Sequence, residues 1–100
     1  MKKVIINGKE YRIAYNLRSL FVFEDMAGKP YTGQSARENY MMLYAMLYAN
    51  NQDGFSLEID ELIDACDADL NIFDTFMEVM NDEAKRCEAF RLNKKKAVTQ

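Results

Sequence analysis

The stretch YMMLYAMLYA, Tyr40 to Ala49, holds no charged residue, and its only polar side-chain atoms are the phenol oxygens of three tyrosines. As an α-helix it would be about 15 Å long against a bilayer core of about 30 Å, too short to span a membrane. A helix that is apolar on every side is normally buried on every side. A chain of 100 residues is long enough for one domain that buries about 60–70% of its unfolded surface, and this run is expected to be its central helix. On a helical wheel Tyr40, Leu43, Tyr44 and Leu47 share one sector, while Met42, Ala45, Met46 and Ala49 fill most of the other side. The competing reading keeps that Met/Ala face for a partner.

The segments on either side supply the material to wrap it. KVIINGKEYRIAY, residues 3–15, has two β-rich runs about Asn7-Gly8, a pair suited to the positive φ angles of a tight hairpin turn. Asn16 can cap a helix within 16–28, with Leu17, Leu20, Phe21 and Phe23 on one side and Gly28 as a left-handed stop. Glu24 falls inside that apolar sector, either as a rim carboxylate or as a buried acceptor. Ser35 is the next cap, with Glu38 placed to complete a capping box for the apolar helix within 35–50.

After the turn-rich NNQDG, Ser56 opens a short helix within 56–67, with Leu57, Ile59, Leu62, Ile63 and Cys66 as its apolar contacts. The last helix, within 69–90, carries Leu70, Phe73, Met77, Met80, Ala84 and Cys87 as a stripe at helical spacing, with Ile72, Val79 and Phe90 as a second line outside it. The expected fold class is therefore α+β, mainly α: an N-terminal β-hairpin followed by four helices in one domain over 1–90. Residues 91–100 read as a mobile basic tail. One apolar line suffices to hold a helix on a core, so the second is a candidate contact surface. Together with the Met/Ala face it nominates Met42, Met46, Ile72 and Val79 as partner-binding residues, methionine being the most adaptable apolar side chain.

Charge is distributed unevenly. Residues 53–90 hold twelve acids against Lys85 and Arg86, a balance of −10, and the remainder holds eleven bases against four acids, +7. A chain so polarised can self-associate or dock a basic partner, while its net acidity argues against general nucleic-acid binding. MKKVIINGKE has too few apolar residues before Asn7 for a signal peptide, so the chain is expected to stay where it is made. Cys66 and Cys87 then read as small apolar residues.

Asp67, Asp69, Asn71 and Glu78 occupy the first, third, fifth and twelfth positions of a calcium-binding EF-hand loop. The glycine such a loop needs at its sixth position is Ile72, and its usual apolar eighth position is Asp74. Acids at a helix N-terminus, where the dipole favours them, explain the same residues more simply. The chain has no histidine and no glycine-rich phosphate loop, and neither Cys nor Ser lies in a recognised nucleophile context. The expectation is a non-enzymatic protein with no cofactor and no metal.

Taken together, the hairpin VIINGKEYRIAY, the helix NLRSLFVFEDMAG, the apolar helix ending in LYAN, and SLEIDELIDACD leading into a last amphipathic helix resemble the small tail assembly chaperones of long-tailed bacteriophages and prophages. The likeness covers most of residues 3–90. It implies a protein of the host bacterial cytoplasm that binds the tape measure protein, keeps it soluble and presents it to tail tube subunits. The alternatives are a structural tail or head-completion protein and a general interaction adaptor. The resemblance also implies a longer form made by ribosomal frameshifting near the C-terminus. Lys94, Lys95 and Lys96, all encoded by adenine-rich codons, lie where such a slip would occur.

Overall fold

The computed structural model describes the backbone of residues 1–98 and the side chains of residues 1–86. β1 (Lys2–Ile6) and β2 (Lys9–Ile13) pair antiparallel, with Val4 opposite Tyr11 and Ile6 opposite Lys9. Asn7 and Gly8 form the turn at φ 53° and 79°, the doubly left-handed geometry that matches the twist of the strands. Alternation along both strands sends Val4, Ile6, Tyr11 and Ile13 into the core and leaves Lys3, Ile5, Glu10 and Arg12 outside.

Four helices follow: α1 (Leu17–Ala27), α2 (Ala36–Asn50), α3 (Ile59–Ala68) and α4 (Leu70–Val98). The chain is α+β and mainly α. α2 is the centre, packed against α1, β2 and α3. Of the run from Tyr40 to Ala49, only Tyr48 is exposed. The apolar run is thus buried because other elements cover it on several sides.

Polar side chains fix the joints between these elements. The Asn16 carboxamide caps α1 by accepting from the Ser19 amide at 2.9 Å, and Gly28 ends the helix at φ 71°. Asn16 also donates to Asn50 Oδ1 at 3.0 Å, and Asn50 donates to the carbonyls of Ala14 and Met46, tying the start of α1 to the end of α2. Asn51 accepts from the Arg12 amide at 2.9 Å and donates to the Arg12 carbonyl at 2.8 Å. Its carboxamide behaves as a single residue of a third strand, satisfying both backbone groups of Arg12 on the outer edge of β2.

Several sequence expectations are corrected here. Leu17 and Phe21 are exposed rather than sharing a buried face with Phe23, because α1 is rotated to bury Ser19 in their place. Glu24 is exposed. Glu38 does not reach back to complete a capping box. Its carboxylate turns to the preceding loop, accepting from the amides of Thr32 and Gly33 and from the Thr32 hydroxyl, with Lys29 Nζ at 3.4 Å. Those hydrogen bonds, the Thr32 amide first, hold the carboxyl down to about 2 although burial opposes the shift.

α3 starts at Ile59 rather than near Ser56, because Leu57 is buried in extended chain and its carbonyl accepts from the Tyr44 hydroxyl at 2.8 Å. α4 continues to Val98, past the end expected at Phe90. The side chains of Cys87, Phe90 and the expected basic tail, 91–100, lie outside the described residues.

Candidate interaction surfaces

Met42 and Met46 are 0% exposed, Ile72 is 3% and Val79 is 9%. The structure therefore corrects the expectation that these four side chains form a partner surface: all belong to one core. For Met42 and Met46 the reason is the enclosure of α2 described above. For Ile72 and Val79 it is the rotation of α4. The expected stripe and the expected outer line adjoin on the helix, and the line that faces the core is Ile72, Phe76 and Val79, with Phe73 and Met80 half-buried beside it. Leu70, expected inside, is 76% exposed, and Met77 is 41% exposed. The pairing of α4 with β1 as well as α3 selects the buried side, and a helical wheel of α4 alone contains neither neighbour.

The apolar surface that is open lies elsewhere. Met26, Tyr44, Tyr48, Phe55, Leu57 and Ile59, together with the polar Ser56 and Glu58, line a groove of about 380 Å³ between the end of α1, the outer side of α2 and the segment leading into α3. Phe55 forms its centre, meeting Tyr11, Tyr44 and Tyr48 edge-on with ring centroids 5.9, 5.7 and 5.4 Å apart. Such edge-to-face contacts fix the rings without filling the groove. The Tyr44 hydroxyl is committed to the Leu57 carbonyl, and its pKa is raised by burial and by the nearby Glu58 carboxylate. Met26 and Tyr48, both exposed, stand at the rim. Phe55 has no helical or strand periodicity to mark it in sequence. The available signal is one large aromatic residue directly after the NNQDG turn.

A second cavity, of about 450 Å³, lies between β2 and the end of α2 and is lined by Lys9, Glu10, Arg12, Asn51 and Asp53 among others. It mixes charges of both signs around the Asn51–Arg12 pairing. The positions that matched a calcium loop do not form one loop: Asp67 lies in α3, Asp69 is the extended residue between the helices, and Asn71 and Glu78 lie in the continuous α4, where Glu78 pairs with Lys2 at 3.1 Å. Among the described residues no group of three or more His, Cys, Asp or Glu converges in the way a metal ion requires. Cys66 is buried, and burial pushes its thiol up to about 11, far from the reactive thiolate range. Among the described residues no helix is long and apolar enough to cross a membrane.

Comparison with protein-family models, with curated proteins and with solved structures found no match to this chain.

Proposed function

We propose that this protein is a tail assembly chaperone of a long-tailed bacteriophage or prophage. It acts without catalysis in the cytoplasm of the bacterial host, binding the tape measure protein and helping to recruit tail tube subunits. The observation that carries the reading is the open groove around Phe55, whose floor is aromatic and whose rim is Met26 and Tyr48. Helical clients are held by an apolar face laid into such a groove, and flexible methionine with amphipathic tyrosine tolerates many similar segments of one long client. The hairpin followed by four helices agrees with the pattern on which the resemblance rests.

The test is co-expression with the tape measure protein encoded beside this chain in the same genome. Wild-type protein should co-purify with the client and keep it in the supernatant. Tyr48→Asp, at an exposed rim position, should weaken capture on the order of tenfold, as expected for loss of one contact residue, with helicity and melting temperature unchanged. Equal capture by the variant would move the client off this groove, and failure of the wild type to bind or solubilise the tape measure protein would overturn the chaperone reading. Detection of the protein in purified particles would favour a structural tail or head-completion role instead. The longer form requires a slippery sequence such as A-AAA-AAG at Lys94–Lys96 and an open frame one base back; a stop codon within a few codons would exclude it.

A further inference from the structure

We infer that the segment received by the groove around Phe55 is a cationic amphipathic helix, seated by its apolar face and held at its flanks through lysine or arginine. The inference rests on that groove being the client site and adds the chemistry of what fills it. The aromatic floor fits a helix face with side chains at i, i+3 or i+4 and i+7. A neutral, an acidic and a basic helix satisfy such a floor equally, so the charges around it make the choice.

Those charges have one sign. Among the residues lining the groove Glu58 carries the charge, and no base is among them. Glu61 stands beside it, because its Oε1 accepts from the Glu58 amide at 3.0 Å. Burial raises the pKa of the Tyr44 phenol in the groove, and the Glu58 and Glu61 carboxylates raise it further, so both act on the groove itself. Asp60 shares the first turn of α3 with Glu61. The N-terminus of a helix offsets about half a charge, less than these carboxylates supply together. On the α1 side, Glu24 and Asp25 precede Met26 in the last turn, where the helix dipole disfavours acids and no base is present. All these acids are exposed, and among the described residues none of them is ion-paired. Lys29, the base nearest Met26 in the chain, is turned to Glu38 at 3.4 Å, and no base occurs between Phe55 and Glu83. The groove makes the site, and the carboxylates choose its occupant. An acidic helix laid there sets like charges together, whereas a basic one meets opposite charge on both walls.

The probes are synthetic helical peptides of about 18 residues, or about five turns, identical in a leucine and alanine face and carrying lysine, glutamine or glutamate elsewhere. Fluorescence anisotropy with the full chain should rank them lysine, glutamine, glutamate in falling affinity. The outer two should differ on the order of tenfold or more at about 0.01 M salt and converge at about 1 M, where the screening length is about 3 Å. The variant Asp25→Asn, Glu58→Gln, Glu61→Gln keeps the shape of each side chain. It should lose most of the preference for lysine and its salt dependence, with glutamine-peptide binding and melting temperature unchanged. Asp74→Asn, Asp82→Asn, on the exposed side of α4, should leave the preference in place. In NMR spectra the lysine peptide should shift the amide signals of Met26, Tyr48 and Phe55. Equal affinities, a preference for glutamate, a lysine preference that survives the three carboxamides or is abolished by the α4 pair, or shifts confined to α4 each overturn the charge inference. In those cases the groove stands as a helix site wherever the glutamine peptide still binds there; no binding by any peptide removes both. Capture of the tape measure protein judges the chaperone reading separately.

Discussion

At the scale of single residues, neighbours in sequence have opposite roles. Phe76 is buried among the core side chains while Met77, one position on, faces outward. Truncating Phe76 to alanine should lower the unfolding free energy by about 3–5 kcal/mol, because the cavity cannot be refilled, and Met77→Ala should change it by less than about 0.5 kcal/mol in dilute solution. Urea denaturation of both variants measures the difference. Glu38 has a different signature. Its carboxyl is lowered from 4.5 to about 2 in the folded state, so the stability it contributes is present above pH 4.5 and is lost as pH falls through about 2. In Glu38→Gln the decline of stability across that interval should be shallower than in the wild type, as read from melting temperatures at a series of pH values. Parallel curves would show that the carboxylate does not titrate with folding.

At the scale of elements, the hairpin depends on a residue from another element. Asn51 occupies the outer edge of β2 at Arg12, so a two-stranded sheet, marginal alone, is extended by one side chain and backed by α2. Asn51→Ala should leave the Arg12 amide without its protein acceptor and destabilise the domain by about 1–2 kcal/mol. Hydrogen exchange locates the effect: the Arg12 amide should lose protection while the Ser19 amide, capped by Asn16, keeps its own. Equal loss at both would show a global effect instead. The Asn-Gly turn and the Asn16 cap were legible in sequence because each is decided by a few adjacent residues. The Asn51–Arg12 pairing spans 39 residues of chain, and nothing local to either residue announces it.

At the scale of the whole molecule, the packing of α1, the hairpin and α3 around α2 uses the methionines of α2 as filling, so the surfaces left for partners are at the periphery. The groove at Phe55 and the outer line of α4 belong to different elements.

The sequence by itself determined the element types and their order, because hairpin turns, helix caps and apolar periodicity are properties of a few neighbouring residues. It also determined that α2 is central, since ten residues without charge have no stable exposed arrangement. Only the tertiary structure decided which half of each broad apolar sector is buried. Leu17 and Phe21 read as core on α1 and are outside; Ile72 and Val79 read as surface on α4 and are inside. A helix with apolar residues over half its circumference can be rotated either way at little local cost, and the neighbours it meets choose the rotation. Here β1 and α3 made that choice for α4, and it put Ile72 and Val79, which the pattern suggested as a contact surface, into the core.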